Sequence, residues 1–189
     1  MSFIHLRTHS EFSIIDGILR IDDAVDAARA DSQPALALTD FSNLFGAIKF
    51  YQACRSSGIK PIIGADVWLE PLSANDKQPS RLLLLAQNEL GYHHLCQLLA
   101  HAWTANIHRQ QAWVKWEWLE NWGDGLIALS GAENGAIGMA ISAGDQARAK
   151  QIAQRLAGLF LGRFYVEVQR AGLAHQDAYI QAVVPLAVD

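Results

Sequence analysis

The chain has 189 residues, of which 51% are hydrophobic and 18% are charged, a composition typical of a globular domain with a buried core. Its net charge of −4 argues against the basic surface that proteins usually need to bind a phosphate backbone on their own. The sequence has neither a signal peptide nor a run of the roughly 18 apolar residues that span a membrane, which favours a cytoplasmic protein without membrane contacts.

Short apolar segments alternate with helix-like segments along the chain. We predict strands at 3–9, 35–39, 62–69, 82–86, 125–130 and 163–168. Helices are predicted between and after them, at 22–30, 44–57, 88–104, 145–160 and 176–188. Such alternation predicts an α/β fold with parallel strands and helices outside, either an open sheet or a closed barrel.

Two segments interrupt the alternation: 71–80 is polar, and 106–123 has the character of a loop rich in aromatic residues. Five tryptophans lie in or beside the second segment, namely Trp103, Trp113, Trp116, Trp118 and Trp122. They either pack this loop onto the domain, form an interface hot spot or stack on single-stranded DNA. Acidic neighbours at Glu117 and Glu120 disfavour the DNA interpretation, and packing is preferred.

The first predicted strand carries His5, Arg7 and His9 on one face, because residues two apart in a strand share a side. Imidazoles at this spacing can bind a metal ion, but a guanidinium has no lone pair to offer. A polar cluster therefore fits these three residues better than a metal site. The two cysteines, Cys54 and Cys96, form no CxxC pair, which argues against a disulfide framework or a thiolate metal site.

Three aspartates follow at positions where chemistry is common in α/β folds. Asp16 lies in a turn, Asp40 closes the second predicted strand, and Asp66 lies in the third. Sites in parallel α/β folds form at the carboxyl ends of strands. A single aspartate there is more often a turn or capping residue, so each one alone is weak evidence.

Together these segments resemble the N-terminal PHP (polymerase and histidinol phosphatase) domain of bacterial DNA polymerase III alpha subunits. The resemblance rests on 5–13, 16–17, 35–41, 50–51, 58–66, Asn88, 91–92 and 125–131. It implies one PHP domain over 1–189, a distorted (β/α)7 barrel that is incomplete at its C-terminal end, with about six of seven strands present. The last predicted helix runs into Asp189 with no strand after it, so we expect a longer parent protein.

Active members of this family hold up to three metal ions, commonly zinc or manganese, and hydrolyse phosphoesters. The resemblance places the family's ligand positions at Arg7, His9, Asp16, Phe41, Asp66, Arg81 and Ala132, with His5 and Asp40 as supporting polar residues. His9 and Asp16 match the family pattern, whereas Arg7 and Phe41 cannot coordinate a metal. We therefore expect a degenerate centre with no catalytic residue, metal or cofactor in this chain.

The replacements suggest what fills the centre. Arg7 and Arg81 would bring positive charge to the place from which divalent ions have been lost. We predict that these guanidiniums pair with Asp16, Asp40 and Asp66, because bidentate bonds between arginine and carboxylate are strong and oriented.

The resemblance implies a non-catalytic structural domain of a replicative DNA-directed DNA polymerase, which docks the proofreading exonuclease subunit within a holoenzyme. The Mg²⁺ and most DNA contacts of the parent polymerase would lie outside this chain. One alternative is a metal-dependent phosphoesterase or 3′-5′ exonuclease with a reduced metal set on His9, Asp16 and Asp66. Another is an independent small protein.

Overall fold

A computed structural model describes residues 3–14, 16–73, 76, 78–173 and 176–188. The helices are α1 (Ile21–Ala30), α2 (Ala47–Ser56), α3 (Glu89–Ala105), α4 (Trp116–Trp122), α5 (Ala136–Ser142), α6 (Gln146–Leu159) and α7 (Gln176–Val188). The strands are β1 (Ala35–Leu38), β2 (Lys60–Leu69), β3 (Ser80–Ala86), β4 (Ile107–His108), β5 (Gln111–Val114), β6 (Leu126–Leu129) and β7 (Phe164–Tyr165). A short 3-10 helix spans Ala132–Asn134.

The ends of the predicted domain, Met1, Ser2 and Asp189, lie outside the described residues, as does part of the predicted polar segment 71–80. Within the described ranges, none of the helices combines the length and the apolar character that crossing a bilayer requires.

All the strands belong to one mixed sheet in which the long strand β2 is central. Two strands pair with one edge of β2: β1 runs parallel to its first four residues, and β5 runs parallel to its last two. The other edge pairs with β3, which is antiparallel to both β2 and β6. The α/β fold is confirmed, but the expectation of parallel strands throughout was wrong. The connection from β2 to β3 contains no helix among its described residues, and a short direct connection makes neighbouring strands antiparallel.

The first predicted strand, 3–9, lies beside β1 without becoming part of the sheet. The N–H groups of Ala37 and Thr39 donate to the carbonyls of His5 (3.0 Å) and Thr8 (2.9 Å). In return, the N–H of Thr8 donates to the side-chain hydroxyl of Thr39 at 2.9 Å, where a ladder would use a carbonyl. The strand prediction was wrong here because a side chain replaces a backbone partner and interrupts the ladder.

The segment 106–123 is not the predicted loop, because it forms β4, β5 and α4. Trp116 and Trp118 are buried in the main core, and the indole N–H of Trp116 donates to the carbonyl of Glu70 at 3.1 Å. The packing interpretation is therefore confirmed for these two tryptophans. Strands of two and four residues are too short to show a periodic pattern in the sequence.

Helix α3 covers the sheet and has a well-defined start. The side chain of Asn88 caps it by accepting a hydrogen bond from the N–H of Gly91 at 2.9 Å. Gly91 lies so close to Gly125 that a Cβ atom would come within 1.8 Å of the Gly125 carbonyl oxygen. Only glycine allows this approach, which seats α3 against the turn that leads into β6.

Side chains along β2 and β3 point alternately to the core and to the face of the sheet that carries the candidate site. The core face carries Ala65, Val67, Leu69, Leu82 and Leu84, which pack with α3 to α7. The intervening residues point to the opposite face of the sheet, because successive side chains of a strand alternate. Asp66, Trp68, Arg81 and Leu83 lie on that second face.

Candidate functional site

Asp66 is the centre of an ion-pair network on the second face of the sheet. Its side chain is completely buried. In the antiparallel pair Asp66 lies opposite Leu83, so Arg81, two residues away, lies diagonally across on the same face. The Nη2 of Arg81 donates to Oδ2 of Asp66 at 2.6 Å, and its Nε donates to Oδ1 at 3.1 Å. This bidentate pair engages both oxygens of the carboxylate.

Arg7 joins Asp66 to a second buried carboxylate, Glu167. Its Nη1 donates to Asp66, while Nε and Nη2 donate to the two oxygens of Glu167 at 2.7 and 2.8 Å. Glu167 is held from its other side by Gln169, whose amide donates at 2.7 Å. The backbone N–H of Glu167 donates to the hydroxyl of Ser130 at 2.9 Å. The segment before β1 is thereby tied to the segment after β7.

His9 lies between two carboxylates. Its Nδ1 is 3.0 Å from Oδ1 of Asp16, and its Nε2 is 3.2 Å from Oδ2 of Asp66. Burial lowers the pKa of His9, Asp16 raises it, and the charges of Arg81 and Arg7 lower it again, so that the pKa lies below 6.5. The imidazole is therefore mostly neutral at neutral pH, and its single N–H can serve only one of the two carboxylates at a time.

Two aromatic rings support the guanidinium of Arg81. Its Cζ lies 4.0 Å from the ring centroid of Phe41 and 4.9 Å from that of Trp68. The two rings meet edge to face, with centroids 5.1 Å apart. A cation above aromatic faces is stabilised by their quadrupoles. The resemblance implies a metal-binding histidine at position 41. Phe41 at this position instead stabilises a cation, which the guanidinium of Arg81 supplies.

Asp40 plays a different part from the one predicted, whereas Asp16 forms a long ion pair with Arg81. Asp40 is buried and accepts hydrogen bonds from the N–H of Ser10 (2.6 Å) and the hydroxyls of Ser10 and Ser13. The predicted pairing of arginine with Asp40 was wrong, because these serines occupy its oxygens. Asp16 is partly exposed and reaches Nη2 of Arg81 only at 4.0 Å. The predicted pairing with Asp66 is confirmed for both arginines.

The two remaining predicted positions do not join the network in the described part of the chain. His5 is exposed and packs edge to face against Phe3, with ring centroids 4.8 Å apart. Ala132 is buried at the start of the 3-10 helix and offers only a methyl group. It follows Gly131, whose positive φ of 78° allows the chain to turn beside the carbonyl of Arg81.

These residues do not fit the metal centre that the resemblance implies. Both oxygens of Asp66 are bound to guanidiniums, and a guanidinium cannot coordinate a cation. Among the described residues, no group of three or more His, Cys, Asp or Glu side chains is arranged to hold a metal ion. The chemistry available to the network is ion pairing that links distant parts of the chain.

Glu167 is the main residue that the sequence did not identify. It lies just beyond β7 and 160 positions from Arg7, with no motif around it. The available signal was its place at the end of a predicted parallel strand, where functional carboxylates gather. Trp68 and the serines at 10 and 13 were missed for a similar reason, because their roles depend on neighbours that are distant in sequence.

The PHP domain family model matches residues 5–171. Among curated proteins, the DNA polymerase III subunit alpha of Pseudomonas aeruginosa is 40% identical over 187 residues, which are 99% of this chain and 16% of that protein. The subunit alpha of Vibrio cholerae is 37% identical over 98% of this chain and 16% of its own length. That of Neisseria meningitidis serogroup B is 44% identical over 89% of this chain and 15% of its own length. The chain thus spans only about 16% of the first of these relatives.

Among solved structures, a protein of Bifidobacterium adolescentis described as a metal-dependent phosphoesterase is similar, with a TM-score of 0.51 and 10% identity. The similarity covers 98% of this chain and 85% of that one, and at this identity it supports the fold alone. Because the family model covers nearly the whole sequence, the chain belongs to the PHP domain family.

Proposed function

We propose that this chain is the PHP region of a bacterial DNA polymerase III alpha subunit, where it acts as a non-hydrolytic structural domain. The observation that carries the proposal is the double pairing of Asp66 with Arg7 and Arg81. A buried carboxylate held by two guanidiniums is not free to bind a metal. The similarity to alpha subunits over almost the whole chain supports the assignment to a polymerase.

In this proposal the parent protein is a DNA-directed DNA polymerase of the cytoplasm that uses deoxynucleoside triphosphates. Its Mg²⁺ ions, the carboxylates that bind them and most contacts to DNA lie outside this chain. The net charge of −4 is consistent with DNA binding outside this chain, because a domain with net negative charge attracts a phosphate backbone poorly.

Metal analysis of the full-length protein tests the structural role. We expect the wild type and His9→Gln to contain the same amount of zinc or manganese, so that no stoichiometric metal depends on His9. We also expect no phosphoester hydrolysis that both a chelator and His9→Gln would abolish. The expected absence follows from the pairing of Asp66, which leaves His9 and Asp16 without a third ligand. Retained metal that is lost in H9Q, together with chelator-sensitive hydrolysis, would contradict the proposal.

The same measurement decides a second candidate, a PHP phosphoesterase or 3′-5′ exonuclease with a reduced metal set. One observation favours it: His9 contacts both Asp16 and Asp66, the other two members of the reduced set, although the three side chains are not arranged to hold an ion. Arg7 and Arg81 would have to leave Asp66 before a cation could enter. Breaking buried, bidentate ion pairs makes this the less favoured candidate.

The second part of the proposal is docking of the proofreading exonuclease subunit, alongside other subunits of the holoenzyme. Exposed apolar side chains near the start of α2 form a surface suited to a protein partner. Phe45, Ile48 and Tyr51 recur every three residues and are all exposed. Ile48 and Tyr51 line a mainly apolar cleft of about 650 Å³ that extends to Tyr92 on α3.

A pull-down of the exonuclease subunit by the full-length protein tests docking. We expect capture by the wild type and a loss of about tenfold or more in affinity for Ile48→Asp, because a charge in a desolvated contact is costly. Leu161→Asp is the matched control, since Leu161 is 82% exposed against 72% for Ile48 and lies in the turn after α6. Failure of the wild type to capture the subunit would contradict docking, and equal capture by both variants would exclude this surface.

A further inference from the structure

A second cavity, of about 890 Å³, lies beside the Asp66 network, and Arg81 and the Trp68 ring that supports it border both. It is bordered by the end of β2, the start of β3, the β4–β5 hairpin, the 3-10 helix and α5. None of the described residues that line it is a carboxylate, although the chain has 19 aspartates and glutamates and only 15 lysines and arginines. An acid-free cavity in an acidic chain points to an anionic ligand.

Two arginines line the described part of the cavity, and only Arg81 forms an ion pair with a carboxylate. Arg81 is neutralised by Asp66 and supported by Phe41 and Trp68. Arg109 is exposed and has no hydrogen-bond or ion-pair partner in the described part of the chain. Among the described lining residues, Arg109 therefore supplies the positive charge that no carboxylate compensates.

The backbone holds Arg109 in place despite its exposure. Arg109 and Gln110 are the two turn residues of the β4–β5 hairpin, with φ of 48° and 67°. Positive φ at both positions is the geometry of the two-residue turns that match the twist of paired strands. On either side of the turn, His108 pairs with Gln111 and Ile107 with Ala112. The hairpin presents Arg109 at the rim of the cavity.

Aromatic and amide groups complete the lining. The rings of His108 and Trp113 are stacked, with centroids 4.2 Å apart and planes 22° from parallel. A hydrogen bond of 2.8 Å between Nε2 of His108 and Oδ1 of Asn106 fixes the imidazole. The side-chain amides of Gln78 and Asn134 are exposed and have no partner among the described residues. A planar stack, a free cation and free amides thus surround a volume in the range of small-molecule sites.

We propose that this cavity binds a nucleotide, with the phosphate at Arg109 and the base against the stacked rings of His108 and Trp113. Arginine presents a planar fork that matches phosphate oxygens, and aromatic faces stack on any base without sequence preference. The ligand is either a free mononucleotide or the terminal nucleotide of single-stranded DNA, which share this chemistry. The inference goes beyond the structural and docking function, because the described side-chain partners of Asp66 are Arg7, His9 and Arg81 and include none of Arg109, His108 and Trp113.

Photocross-linking in the full-length protein tests this site and separates it from nucleotide or DNA sites elsewhere. The probes are iodo-deoxyuridine monophosphate and a short single-stranded oligonucleotide that contains iodo-deoxyuridine, and mass spectrometry locates the cross-linked peptides. We expect cross-links at His108 or Trp113, and the probe that produces them identifies the source of the ligand. Inorganic phosphate in excess should lower the yield by competing for Arg109.

Two charge reversals provide the variant and its control. Arg109→Glu should reduce cross-linking to the 107–113 segment about tenfold or more, since it removes a charged hydrogen bond and adds repulsion. Arg55→Glu makes the same change of charge at an exposed position at the end of α2 and should leave the yield unchanged. Arg109 is exposed, so the replacement should preserve the fold. Absence of cross-links in 107–113, or an equal yield in R109E, would overturn the inference, whatever metal analysis shows at His9.

Discussion

Asp66→Asn is expected to lower the free energy of unfolding by about 3–5 kcal/mol, the cost of removing one partner from a buried ion pair. The variant keeps the size of the side chain and one carbonyl oxygen, but it loses the negative charge. Arg7 would keep its ion pair with Glu167. Arg81 would lose its bidentate partner and keep only the partly exposed Asp16, at 4.0 Å from Nη2, as an ion-pair partner among the described residues. Because both guanidiniums lose their ion pair with Asp66, this is the largest effect expected for a single substitution in the network.

Hydrogen exchange in the full-length protein provides the measurement, because peptides from β2 and β3 report the opening of this region alone. Asp124→Asn is the control: Asp124 also pairs with an arginine, Arg163 at 3.3 Å, but its side chain is 81% exposed. An exposed pair contributes about 0–1 kcal/mol, so the control should differ little from the wild type. A loss below about 1 kcal/mol for D66N would show that the network does not depend on the carboxylate charge.

Arg7→Ala is expected to lower the free energy of unfolding by about 3 kcal/mol, the lower end of the range for buried pairs because Arg7 itself is 22% exposed. Among the described residues, the substitution leaves the buried side chain of Glu167 with only Gln169 as a side-chain partner, and it removes the link between the two ends of the fold. Arg7→Lys retains the charge but not the planar fork, so it should recover part of the loss. Equal stability of R7A and the wild type would contradict the bridging role of Arg7.

The effect of Arg7 should also depend on pH. Burial raises the pKa of Glu167, but the hydrogen bonds and charge of Arg7 outweigh burial, and the folded-state pKa lies below 4.5. A carboxylate with a depressed folded pKa contributes stability that is complete above its unfolded pKa of 4.5 and is lost as the pH falls through the folded pKa. The difference between the wild type and R7A should therefore shrink below about pH 4.5. Exchange rates of β6 and β7 peptides across this range provide the test.

The helical part of the fold was the most predictable from the sequence. The predicted helices at 22–30, 88–104 and 176–188 differ from α1, α3 and α7 by at most one residue at either end. Their apolar spacing and capping signals are local, as in the side chain of Asn88 at the start of α3. Helix α5 was not predicted, because its seven residues make fewer than two helical turns, which is too short for a clear periodic pattern.

The sheet was harder to predict, since strand direction depends on contacts that are distant in sequence. The sequence of β3 is compatible with either direction, and the polar connection before it did not reveal that the chain returns along the edge of β2. The candidate site likewise contains residues that local motifs identified and one residue that depends on a distant contact. The motifs located Arg7, His9, Asp66 and Arg81, whereas nothing near Glu167 indicated that its partner lies 160 positions earlier.

The bond between Arg7 and Glu167 has a consequence for synthesis of the protein. Arg7 leaves the ribosome when most of the polypeptide has not been made, and Glu167 follows only after β1 to β7 and α1 to α6 have appeared. Until then, Asp66 is the carboxylate with which Arg7 can pair, so the nascent chain holds an unfinished cluster. Glu167 completes the cluster once the segment after β7 has been released. A failure of this late step would leave the earlier elements folded but without the ion pair between Arg7 and Glu167.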